Sequence, residues 1–171
     1  IAELHGKAFA FGDEESTIGR YLAQLYLLRH NIRSADLGSY EYLGRHDAVG
    51  AAVGSGRFDG GALQESSYAK LIKDGVPIKA IAEFPNVTKP WIARGRLPAP
   101  IKADLRKALA AVTKDQGLHE LNVDGFTDGS DEDFAFIRES MLNNYLFFRK
   151  SNAATADASR KKLPIKKPSD E

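Results

Sequence analysis

Apolar residues recur along this chain with two different periods. Lys7-Ala-Phe-Ala-Phe11 is a short apolar run stopped by Gly12, the pattern of a buried strand. Ile18, Tyr21, Leu22, Leu25 and Leu28 follow at helical spacing and predict a helix over 17–30. The alternation then repeats. Ser39–Leu43 reads as a strand, and His46 to about Gly56 as a helix of small residues with Val49, Ala52 and Val53 on one face. Gly61–Gln64 reads as a short strand after the Asp59-Gly-Gly turn, and Ser66–Asp74 as a helix ended by Gly75. Ile78–Phe84 predicts a further strand. Pro90–Arg94 predicts another, since proline is tolerated where a strand begins. Strands alternating with helices imply crossover connections and a parallel sheet. The predicted fold class is therefore α/β: a mostly parallel twisted sheet with helices on both faces, followed by C-terminal helices.

Beyond residue 100 the strand signal stops. Ile101, Leu105, Leu109 and Val112 mark one helix; Phe134, Ile137, Met141, Tyr145 and Phe148 mark a second. Residues 151–171 have no period and little apolar content, which predicts a polar, disordered tail. The expected organisation is an α/β ligand-binding lobe over 1–98, a helical segment over 99–150 and the tail over 151–171.

Composition narrows the function classes. The 171 residues are 43% hydrophobic and 27% charged, which excludes a mainly disordered chain, a collagen and a disulfide scaffold. With 24 basic and 23 acidic residues the net charge is +1, so charge gives no reason to expect nucleic-acid binding. Five of the basic groups (Arg160, Lys161, Lys162, Lys166 and Lys167) fall in the tail. There is no cysteine, so disulfides, thiolate metal sites and a Cys nucleophile are excluded. No apolar run approaches the length of a membrane span. The chain opens at Ile1, as a processed product or a fragment would, so the lack of a visible signal peptide does not locate it.

Three strand-to-helix junctions could carry chemistry. In Phe9-Ala-Phe-Gly-Asp-Glu-Glu-Ser-Thr-Ile-Gly19 a strand enters a turn that opens a helix near Ser16 and Thr17. Unpaired N–H groups and two hydroxyls at a helix start suit a tetrahedral oxyanion. Ser16 and Thr17 are equally at home as ordinary helix caps, with Asp13, Glu14 and Glu15 complementing the same dipole. In Leu43-Gly-Arg-His-Asp-Ala-Val49, His46 opens a helix and could donate to an anion; a surface His or a simple cap is the plain alternative. In Phe58-Asp-Gly-Gly-Ala-Leu-Gln-Glu-Ser-Ser-Tyr68, Glu65 or Ser66 sits where a strand meets a helix. Ligands of open α/β sheets bind at the carboxyl ends of strands, where three such junctions would converge.

Taken in order, the Gly12-Asp13…Ser16-Thr17…Gly19 turn, His46-Asp-Ala-Val49, Ser67-Tyr-Ala-Lys-Leu71 and Glu83-Phe-Pro-Asn-Val-Thr-Lys-Pro-Trp-Ile-Ala-Arg94 resemble the phosphate, phosphite and phosphonate substrate-binding proteins of ABC importers. These are two-lobed type 2 periplasmic binding proteins, and the resemblance covers about residues 3–145. It implies that Ser16 and Thr17 grip the oxyanion, that His46 completes the grip and that Glu65 or Ser66 helps read the ligand's other end. Ile18 stands where the family pattern often has a second Ser, and Glu14-Glu15 replace a Pro-Asn pair. The resemblance also implies a membrane permease as partner, a periplasmic or extracytoplasmic location (lipid-anchored or soluble) and no cofactor. What it matches is the second lobe and the C-terminal helices. The apolar faces of those helices, such as Phe134–Phe148, are then expected to meet a missing N-terminal lobe, or to be buried by repacking or against a second copy.

The expected function is non-catalytic binding of a phosphonate, phosphite or phosphate for import. The alternative is an extracytoplasmic sensory or interaction domain on the same fold. Other motifs fail. Asp124–Asp133 lacks an EF-hand's ligand spacing and reads as an acidic loop capping the last helix. Ser16, His46 and Asp59 would make a triad without a nucleophile elbow. Trp91 is expected in a core or hinge. His5, His30 and His119 have no partners at metal-ligand spacing and read as surface residues.

Overall fold

The computed structural model describes residues 1–87, 90–112, 118 and 124–149. The predicted tail and His119 lie outside the described residues. Among the described residues two compact units are distinguished: Ile1–Asn86 together with 136–149, and Val87–Ala135.

The first unit is built on β1 (Ala8–Phe11), β2 (Ser39–Tyr42) and β3 (Gly60–Gly61), in the order β2-β1-β3 and parallel throughout. Phe11 pairs with Tyr42 and Ala10 with Gly61, so β1 is central. Its alternation explains why both faces are covered. Phe9 and Phe11 enter one core with Ala23, Leu27, Ile32, Leu37 and Phe147. Ala10 enters a second core with Val49, Ala52 and Phe58. Helix α1 (Ala23–Arg29), preceded by a π-helical stretch over Thr17–Leu22, supplies the first core; α2 (His46–Gly54) lies over β1 and β3 on the other face. Helix α3 (Glu65–Lys73) packs against α2.

Two predicted strands are absent from this sheet. In Ile78–Phe84, residues 78, 82 and 84 are half-buried and 79–81 and 83 exposed, and Phe84 lies against Tyr26 with ring centroids 5.6 Å apart. Yet its backbone joins no ladder; the Ala80 N–H donates to the Tyr68 hydroxyl at 3.1 Å. Strand-forming composition favours an extended backbone, but a ladder also needs a neighbouring strand. Residues 90–94 are all exposed and form no strand, with Ile92 90% exposed.

The second unit contains α4 (Ala99–Ala110) and an edge-on contact between Trp91 and Phe126 at 5.1 Å. Trp91 is 66% exposed, so of the core or hinge placement expected for it the core one fails. The acidic loop ends in a capping box: the Ser130 N–H donates to the Asp133 carboxylate at 2.7 Å ahead of α5 (Ala135–Leu142). No helix among the described residues is long and apolar enough to cross a membrane.

The last predicted helix is broken in two, α5 and α6 (Tyr145–Phe148), at Asn143-Asn144. Asn side chains compete with helical backbone bonds, and here Asn144 donates to Gln24 at 2.6 Å. The break brings Phe147 wholly into the first core, edge-on to Phe11 at 5.8 Å. The lobe itself therefore covers part of the apolar face that was expected to seek a partner. Met141, Leu142, Tyr145 and Phe148 remain exposed.

Candidate functional site

The first junction is shaped by two glycines. The Gly12 N–H donates to the Gly19 carbonyl at 2.9 Å. A Cβ on Gly12 would lie 3.0 Å from the Gly19 Cα, and one on Gly19 2.8 Å from the Gly12 Cα. Only a glycine pair lets the strand end and the helix start touch. Ser16, extended at φ −71° and ψ 125°, caps the helix: its Oγ accepts from the Gly19 N–H at 2.9 Å. Its carbonyl accepts from both Arg20 (3.1 Å) and Tyr21 (3.2 Å), one wide π turn, a feature often found at functional sites. The Thr17 and Ile18 N–H groups have no partner among the described residues. With the aligned peptide dipoles they form a partial positive charge open to an anion. Asp13 turns onto its own loop, accepting from the Glu15 N–H at 2.8 Å.

The second junction is bonded to the first. The Gly12 carbonyl accepts from the Gly44 N–H at 3.2 Å, and the Phe11 carbonyl from Leu43 at 3.0 Å. Gly44 takes a left-handed turn (φ 77°) before Arg45 caps α2, whose first residue is His46. Arg45 is turned onto Asp47, with Nε 3.0 Å from the carboxylate. His46 is half-buried, and its Nδ1 is buried without a hydrogen-bond partner among the described residues. Burial pushes its pKa below the ordinary imidazole value, partly opposed by Asp47, so the ring is neutral near pH 7. Beside it a groove of about 690 Å³ runs between α2 and α3, with Ser67 and Lys70 on its far wall.

The third junction joins β1 on its other side, where the Ala62 N–H donates to the Ala10 carbonyl at 3.0 Å. Glu65 and Ser66 open α3, both exposed, and the Ser66 Oγ accepts from Gln64 at 2.9 Å. The sheet order thus brings Ser16, Thr17, Ile18, His46, Glu65 and Ser66 to one carboxyl edge. Backbone bonds tie the first two junctions together through Gly12. The α2–α3 groove, in contrast, gathers His46 with α3 and not with Ser16.

Asp59 lies at the opposite edge. Its carboxylate accepts from the N–H of Ala8, the first residue of β1, at 2.9 Å. From Ala8 to Phe11 the strand rises about 10 Å, so Asp59 cannot join a triad with Ser16 and His46.

Sequence reasoning passed over Arg20. Its guanidinium folds back to donate to the Glu14 carbonyl and, at 3.2 Å, to Asn144 Oδ1. It lies over the rings of Tyr21 (4.7 Å) and Tyr42 (5.6 Å). The signal was its position four residues after Ser16, one turn along the same helix face.

The comparisons agree with this architecture. The probable ABC transporter phosphite binding protein PhnD1 of Prochlorococcus marinus (strain MIT 9301) is 28% identical over 119 residues, 66% of this chain and 40% of that protein. The 1.52 Å structure of PhnD1 from the same organism, in complex with methylphosphonate, matches with a TM-score of 0.61 at 23% identity. That match covers 85% of this chain and 58% of the solved one, and shows a shared fold. This chain therefore spans only about half the length of the proteins it matches. The family model for the phosphonate ABC transporter periplasmic substrate-binding protein covers residues 1–134, and the chain belongs to that family.

Proposed function

We propose that this chain binds a small phosphorus oxyanion (phosphonate, phosphite or phosphate) at the carboxyl edge of its sheet, as part of the substrate-binding component of an ABC importer. The observation that carries the reading is the Gly12–Gly19 contact. It holds the free Thr17 and Ile18 amides beside the hydroxyls of Ser16 and Thr17, one backbone bond from the His46 junction.

Each residue has a role in this reading. The amides and hydroxyls replace the anion's hydration shell. Ile18 contributes its N–H alone. The neutral His46 ring donates one hydrogen bond without adding a charge, while Glu65 or Ser66 meets the ligand's other end. Nothing is transformed: the chain is a receptor and not an enzyme, and a membrane permease takes the ligand from it outside the cytoplasm. A second lobe closing over the same edge would complete the cleft, consistent with the share of its relatives that this chain spans.

Calorimetric titration with phosphate, phosphite, methylphosphonate and 2-aminoethylphosphonate tests the reading. Saturable heat that disappears in His46→Ala and Ser16→Ala is the expected result. Heat that survives in both variants would place the anion elsewhere.

A further inference from the structure

We propose that Arg20 is an anion-contacting residue of the Ser16 turn and supplies the site with its fixed positive charge; the proposal rests on the oxyanion reading above. Three observations meet at this side chain.

The first is placement. Arg20 follows Ser16 by one helical turn, and its guanidinium reaches back to the carbonyl of Glu14, two residues before Ser16. The cation therefore lies against the turn that presents the Thr17 and Ile18 amides.

The second is restraint by neutral partners. Nη2 donates to Asn144 Oδ1 at 3.2 Å. The Asn144 amide donates in turn to Gln24 at 2.6 Å, and Gln24, fully buried, donates to the Tyr42 hydroxyl at 2.8 Å. A carbonyl, an amide oxygen and two aromatic rings orient the guanidinium without neutralising it.

The third is unused capacity. Arg20 pairs with no carboxylate among the described residues, whereas Arg45 and Arg57 are matched to Asp47 and Glu41. The Arg20 Nε is buried with no hydrogen-bond partner among the described residues. A guanidinium carries five N–H donors in a rigid fork suited to two oxygens of one tetrahedral anion. The nearby acids make no ion pair with it among the described residues: Asp13, Glu14 and Glu15 are exposed to solvent, and Asp13 is bonded to its own loop. Arg20 thus places a positive charge beside the turn where two glutamates stand in place of the family's Pro-Asn pair.

The competing role is a strut that ties the Asn144 segment to the lobe. Methylphosphonate titration of the 171-residue chain, its Arg20→Met and Arg20→Lys variants and Ser16→Ala, each at low and high salt, separates the two. Arg20→Met should weaken binding by about 10- to 100-fold, the worth of one charge-assisted hydrogen bond. It should also flatten the salt dependence. Arg20→Lys should keep the salt dependence while losing about 3- to 10-fold in affinity, since a point charge replaces a fork. Unchanged affinity and salt dependence in Arg20→Met, with Ser16→Ala impaired, would overturn the Arg20 assignment and leave the oxyanion reading standing. Should Arg20→Met fail to fold, unchanged affinity in Arg20→Lys would overturn the assignment. A wild-type chain that takes up neither methylphosphonate nor inorganic phosphate would overturn both.

Discussion

Replacing Gly19 by Ala tests whether the candidate site depends on two backbones in contact. The added methyl would sit 2.8 Å from the Gly12 Cα, 3.1 Å from the Gly12 N and 3.1 Å from the Ser16 Oγ, against an ordinary closest approach of 3.4 Å. Relief therefore requires a displacement of several tenths of an ångström. The nearest obstacles are backbone and cannot rotate away. Overpacking of this kind costs about 1–3 kcal/mol. Loss of the Ser16–Gly19 cap bond adds about 1 kcal/mol, and the better helix propensity of Ala returns about 1 kcal/mol. The net expectation is a destabilisation of about 1–3 kcal/mol, which at about 2–4 °C per kcal/mol is a resolvable drop in melting temperature. Oxyanion affinity should fall by at least 10-fold, because the turn opens where the Thr17 and Ile18 amides are presented. Gly95→Ala is the control: nothing lies within 4 Å of a Cβ there. A Gly19→Ala variant that melts within a degree of wild type and binds oxyanion equally well would refute the contact argument.

Other perturbations address the remaining parts. Phe147→Ala should destabilise the first unit by about 3–5 kcal/mol, because the ring is fully buried against Phe11 and Tyr40; a melting curve like wild type would show that the C-terminal segment does not pack there. His46→Gln should flatten the pH dependence of stability. The folded-state pKa of His46 is lowered by burial, so the unfolded chain takes up the proton first, and wild-type stability falls as pH drops below about 6.5. The melting temperature between pH 7 and 5 should decline less in the variant; an equal decline removes His46 as the cause. Ser16→Ala should cost about 1 kcal/mol through the lost cap, together with oxyanion affinity, whereas a loss of stability alone would make Ser16 a cap and nothing more.

How far the sequence was legible depends on the range of the interaction. The strand over Phe9–Phe11 and the helix opening at His46 were readable because burial on both faces and small-residue spacing are local signals. Gly12 and Gly19 were visible as a turn, but their mutual contact was not, since it depends on how strand and helix are aimed. Ile78–Phe84 shows the opposite failure. Its composition was read as a strand, yet pairing is a property of two segments, and this one has no ladder among the described residues.

If Arg20 contacts the anion as proposed, charge counting along the sequence would miss it. Along the sequence it is one cation next to three acids, Asp13, Glu14 and Glu15, and the local balance reads as hostile to an anion. In three dimensions the acids face water, where their field is screened over about 8–10 Å of salt solution. The guanidinium is half-buried, held by Asn144 from 124 residues away. A charge fixed among aromatic rings in a lower dielectric acts more strongly at short range than one facing water. On the proposal above, the contribution of Arg20 at the Ser16 turn depends on its burial. Burial here depends on the break at Asn143-Asn144, which lets the C-terminal segment reach the lobe. An oxyanion site whose charge is held this way is coupled to the docking of that segment, and Asn144→Ala should weaken anion binding while leaving every residue of the Ser16 turn in place. Equal affinity in that variant would show that Arg20 holds its position without the distant clamp.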